Sequence, residues 1–257
     1  MPEPRDYTIA AVDRALRVLE ALAEHPKQGI TELSKRLGLT KSIVFRLLST
    51  LEARGFVVRE GEKAMYSLGY RIGVLGEQAG AQNMLLSAAR PVMAQLRDDT
   101  SENINLVIRE DLRSLVLATE DGHHSMRIYA NPGRYGPLHA GGGSVLLLAY
   151  APEEARERLC KQPLQRFTAT TVTDPNELRE RLDTIRSDGY HIAINDLDEG
   201  AFSIAAPIQN ASDEVIAALS VAGAMARYDE TRRRKYLHLV QTAAAQISSK
   251  LGISVAA

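Results

Sequence analysis

The chain has 257 residues, of which 45% are hydrophobic and 25% are charged, and its formal net charge at pH 7 is −1. These values are typical of a globular protein of one or two domains, and they exclude a mainly disordered chain, a collagen-like chain and a disulfide-rich scaffold. Because 31 Lys and Arg residues nearly balance 32 Asp and Glu residues, the overall charge predicts neither a nucleic acid nor an acidic partner.

Three helices are predicted in the first 55 residues. The first ends near Pro26 and carries an apolar stripe at helical spacing. The stripe consists of Val12, Leu16, Leu19 and Ala23. A short second helix begins at Thr31 and stops at Gly38, since glycine is favoured just after a helix end. The third helix runs from Thr40, a suitable N-cap, to Gly55.

The third helix has two chemically different faces. One is apolar and predicted to be buried: Ile43, Leu47 and Leu51, flanked by Val44 and Leu48. The other is predicted to be exposed: Ser42, Phe45, Arg46 and Ser49. Hydroxyl and guanidinium groups reach base edges or phosphates in a major groove. With two short strands at 56–59 and 65–68, the pattern predicts a winged helix-turn-helix and favours DNA binding over a unit used only for packing.

Residues 70–89 are predicted to be helical, although glycines recur through them. This segment is either a dimer contact or relay between domains, or simply a weak connector. Beyond Pro91 the pattern changes, and Ile104, Leu106 and Ile108 alternate as in a strand with one buried face. Further strands are predicted at 114–119, 126–129, 190–194, 203–208 and 215–223, and helices at 140–150 and 177–186. A final helix carries the apolar stripe Leu237, Val240, Ala244, Ile247 and Leu251.

Two features of the second half suggest a ligand cavity. Small side chains share strand faces around Ser203 and Ser220, which leaves room for a ligand or for a closely packed helix. Residues 141–143 are consecutive glycines before an apolar helix. Free backbone N–H groups at a helix N-terminus favour an anion, and a flexible hinge is the alternative interpretation.

These segments belong to short blocks that occur in one order along nearly the whole chain. The N-terminal blocks are AVDRALRVLE (11–20), TELS and GLTKS (within 31–42), FRLLSTLE with Gly55 (within 45–55) and YSLG (66–69). The C-terminal blocks are ARPV (89–92), PLHA (137–140), GY (189–190), AAPI (205–208) and ALSVAG (218–223). Each block is weak alone, but their ordered combination resembles the IclR family of transcriptional regulators.

The resemblance implies a two-domain α/β (α+β) protein. Residues 1–69 would form a winged helix-turn-helix DNA-binding domain, 70–89 a linker helix, and 90–257 a GAF-like effector-binding domain. Such proteins bind roughly palindromic double-stranded operator DNA as a homodimer or a tetramer (dimer of dimers). Carried over by position, the DNA-binding residues are Thr40, Lys41, Ser42, Phe45, Arg46, Ser49, Thr50 and, in the wing, Lys63.

The resemblance also implies a small organic acid as the effector. Gly142 and Gly143 would offer amides to its carboxylate, with Ser203 and Ser220 nearby. Compared with the family pattern, the acidic residue expected after the GY block is replaced by Ala193. We therefore predict a less polar site and a larger, partly apolar acid, with aromatic acids as candidates. Its apolar part would contact Met126, Ile128 and Leu138.

A small hydrolase is the alternative function, because the glycine-rich loop after His139 is similar to an esterase oxyanion loop. The chain has no G-x-S-x-G nucleophile motif, no phosphate- or dinucleotide-binding motif and no zinc spacing, so we predict no catalytic residues, metal or cofactor. Residues 196–199 are interpreted as a solvated acidic turn. With Cys160 as the single cysteine and neither a membrane-spanning run nor a signal segment, we expect a cytoplasmic protein without a membrane partner.

Overall fold

The computed structural model describes residues 8–61, 64–82, 84–125 and 130–253. The chain divides into two compact units, Met1–Gln82 and Asn83–Ala257. Lys63, Met126 and Ile128, and with the last two the predicted strand at 126–129, lie outside the described residues.

The N-terminal unit has the predicted order of helices and strands. These are α1 (Ala10–Glu24), α2 (Ile30–Leu37), α3 (Lys41–Ala53), β1 (Val57–Glu60), β2 (Met65–Leu68) and α4 (Tyr70–Gln82). The strands β1 and β2 pair antiparallel as a hairpin. Its buried core draws on the three helices and both strands, and comprises Val18, Ala21, Leu22, Leu33, Val44, Leu48, Val57 and Tyr66.

The predicted apolar stripe of α1 is not the face that the unit buries. Val12 and Leu16 are each 53% exposed, whereas Val18 and Leu22 are at most 1% exposed. The predicted helical spacing of α1 is therefore confirmed, but most of the predicted stripe does not pack against the core. A second apolar row follows Val18 at i+3 and i+4, and that row contacts α2, α3 and β2. In the first row, Leu19 is partly buried against the core, whereas Val12, Leu16 and Ala23 remain exposed.

The C-terminal unit contains a mixed arrangement of helices around one sheet. In chain order, the elements are α5 (Met84–Thr100), β3 (Asn103–Glu110), β4 (Arg113–Glu120), β5 (Tyr135–Pro137), α6 (Gly142–Ala149), α7 (Glu153–Cys160), α8 (Pro175–Asp188), β6 (His191–Ile194), β7 (Ala201–Gln209), β8 (Val215–Ala224) and α9 (Glu230–Ile253), with a 3-10 turn at Met225–Arg227. Helical structure thus continues past Pro91 to Thr100, and β5 and α7 had no counterpart in the prediction.

The sheet has the strand order β5-β4-β3-β8-β7-β6, and every neighbouring pair is antiparallel. Helices α5 and α9 cover one face, and α6 and α8 cover the other. Both faces of β3 are consequently buried: Leu106 packs toward α5 and α9, and Val107 packs toward α6. The prediction of a single buried face for this strand was wrong, since alternation alone does not show how many layers a sheet has.

Candidate functional site

The connection between α2 and α3 is held by local hydrogen bonds. Gly38 ends α2 with a left-handed φ of 65°, and its N–H donates to the Ser34 carbonyl. The Ser34 hydroxyl donates to the Leu39 carbonyl at 2.5 Å. Thr40 then caps α3, because its Oγ1 accepts from the Ile43 N–H at 3.4 Å. Three residues therefore join the two helices in a tight helix-turn-helix.

Helix α3 is anchored through Val44 and Leu48, both fully buried. Ile43, Leu47 and Leu51 are only half-buried, so the packed face is turned by one residue from the predicted one. Helix α3 contacts both α1 and α2, and Val44 and Leu48 belong to the core that the three helices share.

The described members of the predicted DNA-binding set are all exposed, and they are Thr40, Lys41, Ser42, Phe45, Arg46, Ser49 and Thr50. Phe45, an aromatic ring that folding would ordinarily bury, is 53% exposed. Ser49 and Thr50 donate their hydroxyl hydrogens to carbonyls four residues earlier, so each hydroxyl oxygen keeps its lone pairs as an acceptor. Neither Lys41 nor Arg46 forms an ion pair within the described residues, so both charges are available to phosphate or base.

An apolar groove of about 620 Å³ runs between α1 and α3. Val12 and Leu16 line it from α1, and Ile43 and Leu47 line it from α3. Arg46 also lines the groove, so this side chain lies at the boundary between the groove and the exposed face with Ser42 and Ser49. The stripe left exposed on α1 and the half-buried residues of α3 thus belong to one continuous apolar surface.

In the C-terminal unit, the glycine turn is packed against the sheet. A Cβ at position 142 would overlap the Ser203 hydroxyl and lie 2.8 Å from the Ser203 Cβ, so glycine there is required by the close approach of α6 to β7. The adjacent Gly141 has a left-handed φ of 89°. The expectation of a closely packed helix is therefore confirmed at Gly142, and the turn is not a loose hinge.

This packing leaves a cavity of about 130 Å³ between α6 and the sheet, which we call the inner chamber. Four predicted effector-binding residues line it together: Gly142, Gly143, Ser203 and Ser220. Leu138 does not, because its side chain is fully buried in the core between α6 and α8. The placement of Leu138 in the binding site was wrong.

Asp196 also lines the inner chamber, and sequence reasoning missed it. Instead of belonging to a solvated turn, it is 6% exposed, and its Oδ2 accepts the Gly141 N–H at 3.1 Å. Burial raises the pKa of Asp196, and the Gly141 N–H together with the charge of Arg181 partly opposes that rise. The carboxyl is therefore more easily protonated than an exposed one, which reduces its repulsion of an acidic ligand. Ala193 also lines the inner chamber, so the predicted exchange of an acid for alanine lies in the site, but Asp196 and Asp198 bring carboxyl groups to the same lining.

Asp196 is held in place by the segment before α8. The Thr171 Oγ1 donates to the Asp196 carbonyl at 2.7 Å, and the Thr170 Oγ1 donates to the Asn195 carbonyl at 2.7 Å. Asn195 itself has a left-handed φ of 54°. The sequence signal for this arrangement is weak. It consists of three threonines within residues 168–171 and of an Asn-Asp pair that follows the strand after α8.

The groups proposed for the hydrolase alternative are not arranged for catalysis. The His139 Nε2 lies 2.8 Å from the Gln165 carbonyl oxygen, and the Ser144 hydroxyl donates to the Ser114 hydroxyl at 2.8 Å. Within the described ranges, no group of three or more His, Cys, Asp or Glu side chains is placed to hold a metal ion. In the same ranges, no helix combines the length and apolar character that crossing a bilayer requires.

Comparison with known proteins matches both units. Residues 11–61 match the model of the IclR helix-turn-helix domain, and residues 78–249 match that of the bacterial transcriptional regulator IclR C-terminal domain. The HTH-type transcriptional regulator KdgR of Dickeya chrysanthemi is 33% identical over 95% of this chain and 81% of its own length.

Two solved structures resemble the whole chain. A transcriptional regulator of this type from Alicyclobacillus acidocaldarius aligns with a TM-score of 0.90 and 27% identity over 96% of this chain and 100% of that one. An IclR homologue from Microbacterium hydrocarbonoxydans, crystallised with 4-hydroxybenzoate, aligns with a TM-score of 0.84 and 28% identity over 94% and 98% of the two chains.

Proposed function

The chain belongs to the IclR family of bacterial transcriptional regulators, and from this premise we propose that a small organic acid in the inner chamber controls the affinity of α3 for operator DNA. Its relatives are named as regulators, so it is a regulator and not an enzyme. A bacterial regulator meets its operator in the cytoplasm. The GAF-like character of the C-terminal unit stays a prediction.

The observation that carries DNA binding is the exposed face of α3. Its two unpaired cations, Lys41 and Arg46, project from a helix that Val44 and Leu48 anchor firmly. An anchored helix with unpaired cations and exposed hydroxyl groups matches the requirements of a major groove. We assign operator contact to the seven exposed residues of this helix and its cap, and we expect Lys63 of the wing to contribute a phosphate contact.

Arg46→Ala is the direct test of operator contact. If Arg46 binds a base edge, we expect the variant to bind operator DNA about 1–3 kcal/mol more weakly. Titration of a labelled operator fragment measures this loss, and the Arg158→Ala variant, which removes an exposed arginine of the C-terminal unit, serves as the control. Equal affinities for Arg46→Ala and Arg158→Ala would exclude Arg46 from the interface.

The size and lining of the inner chamber support an acid as the effector. A cavity of about 150 Å³ is large enough to hold benzene, and the inner chamber measures about 130 Å³. It thus suits a short carbon chain or a single ring. Serine hydroxyls and the first amides of α6 supply donors for a carboxylate. An acid with a single ring, 4-hydroxybenzoate, is the ligand with which the similar IclR homologue was crystallised.

Calorimetry with a panel of aromatic and aliphatic acids tests the effector class. We expect an acid with a ring or an equivalent apolar group to bind and to change operator affinity in the same preparation. Tight binding restricted to acids of glyoxylate size would contradict the prediction of a larger, partly apolar effector.

We further propose that the chain functions as a homodimer, alone or as a dimer of dimers, and that the groove between α1 and α3 forms part of the contact. The support is the apolar row of α1, which is exposed at Val12 and Leu16 although its spacing is that of a buried face. A second copy offers the same groove and the same row, as a two-fold symmetric contact requires.

Leu16→Glu tests that contact. We expect its dimer dissociation constant to rise about tenfold or more, because burying a carboxylate in place of an apolar side chain has a desolvation cost that the arginines of the groove offset only in part. Light scattering after size-exclusion chromatography measures the mass. Ala23→Glu places the same charge on an exposed position of α1 outside the groove, and it should leave the mass unchanged. A dimer dissociation constant for Leu16→Glu equal to that of the unaltered protein would exclude the groove from the interface.

A further inference from the structure

A second cavity adjoins the inner chamber. This outer chamber has a volume of about 480 Å³, and it shares six lining residues with the inner chamber. The shared residues are Val107, Val116, Ala130, Ser144, Leu197 and Asp198. A ligand that fills the inner chamber and extends past this common wall therefore enters the outer chamber, and much of the wall is apolar.

The outer chamber is lined by two arginines, Arg113 and Arg134. Neither makes an ion pair with a carboxylate of the described residues. Asp198 is the one described acidic residue of the lining, so the two guanidinium groups leave this part of the cleft with an excess of positive charge. Arginines without acidic partners at the wall of a cleft attract anions and are able to bind a carboxylate through two parallel hydrogen bonds.

Arg113 is held in a defined position. Its guanidinium carbon lies 3.9 Å from the centroid of the Tyr135 ring, and the Tyr135 hydroxyl donates to the Glu110 Oε2 at 2.5 Å. Glu110 is the cross-strand neighbour of Arg113, yet that hydrogen bond engages its carboxylate with the tyrosine. Stacking occupies the face of the guanidinium and leaves its N–H edge available, so an anion meets an arginine that is already oriented.

From this arrangement we infer that the effector is a dicarboxylic acid, with one carboxylate at the glycine turn of the inner chamber and the second at Arg113 and Arg134 in the outer chamber. The inference rests on the proposed acid effector and deepens it. The inner chamber is near the volume of one ring, so a second polar group on a larger acid has to lie outside it. The two arginines give the outer chamber positive charge, and Gln165 and Ser114 add polar groups. This chamber is therefore suited to the second carboxylate.

Calorimetry with two matched pairs of acids tests the second carboxylate. The pairs are benzoate with terephthalate and butyrate with glutarate. One pair has a ring and the other an open chain, and the members of each pair differ only in the second carboxylate. We expect the dicarboxylate of at least one pair to bind the full-length protein at least tenfold more tightly than its monocarboxylate. Arg113→Gln should remove most of that advantage and change monocarboxylate affinity less than twofold.

Arg109→Gln is the matched control, because Arg109 lies on the neighbouring strand and lines neither chamber. It should bind both members of each pair as the unaltered protein does. Tyr135→Leu, which removes the ring beneath the guanidinium, should reduce the dicarboxylate advantage by several-fold. Unchanged melting temperatures for these variants would show that the fold is retained.

Different failures point to different conclusions. If monocarboxylates bind and alter operator affinity but the second carboxylate adds nothing, the dicarboxylate inference is wrong and the acid effector stands. If Arg113→Gln weakens both members of a pair equally, the arginine acts on the whole site and the two-point arrangement is wrong. If no acid binds, the proposed acid effector and this inference are both overturned.

Discussion

Arg227→Ala is expected to lower the free energy of unfolding of the C-terminal unit by about 3–5 kcal/mol, because it leaves a buried carboxylate without its partner. Glu102 is 2% exposed, and it accepts two hydrogen bonds from Arg227, from Nε at 2.7 Å and from Nη2 at 2.6 Å. Among the described residues, the other side chain within ion-pair distance of this carboxylate is that of His124, whose Nε2 lies 3.8 Å from Oε1.

Urea unfolding followed by circular dichroism measures this effect. Arg186→Ala is the control, since it removes an exposed helical pair with Asp183, which contributes less than about 1 kcal/mol. Glu102→Gln in the Arg227→Ala background should recover part of the stability, because a neutral amide is less costly to bury than a carboxylate. A loss below about 1 kcal/mol for Arg227→Ala would mean that the buried carboxylate gains another partner or a proton.

Ser220→Leu is expected to abolish the response to the effector while operator affinity stays within about twofold. Ser220 is 3% exposed on β8, and its side chain lines the inner chamber opposite the start of α6. Three additional carbon atoms there occupy space that a ligand needs. Helix α3 belongs to the other compact unit, so its own packing is unaffected. Ser203→Leu is expected to have the same effect, and its larger side chain would also clash with Gly142, which the Ser203 side chain already contacts closely.

Operator titrations with and without the bound acid separate these two outcomes. The control is Ser187→Leu, at an exposed position of α8 outside the chamber, which should respond normally. If the melting temperature of Ser220→Leu falls, Ser220→Val offers a smaller increase in volume, for which a partial loss of response is expected. A normal response in a folded Ser220→Leu variant would place the effector elsewhere.

The helix-turn-helix was predictable because its signals are local. Gly38 and Thr40 act on backbone groups within five residues of themselves, and the hydroxyls and cations of α3 are exposed as its periodicity indicated. The face of α3 that packs was predicted only approximately. Half-buried Ile43 and fully buried Val44 differ by one position, and the choice between them depends on where α1 and α2 lie.

The ligand site was predicted in part, through Gly142, Gly143, Ser203 and Ser220. Small residues and consecutive glycines are visible in any sequence, and close packing and a cavity require the same residue types. Leu138 was assigned wrongly, because an apolar residue beside a glycine turn fits a pocket wall and a core equally well. Asp196 was missed, because its partner Gly141 lies 55 positions away and no local pattern relates the two.

The amino-acid sequence by itself determined the family, the order of most helices and strands, and the residue types available to DNA and to an acid. These properties follow from spacing within a few residues and from blocks that recur in order. Only the tertiary structure decided which row of α1 remains exposed, that Asp196 enters the chamber, and that Arg113 is oriented by Tyr135. Those outcomes depend on contacts between distant segments, where burial and charge are set by the neighbours that folding supplies.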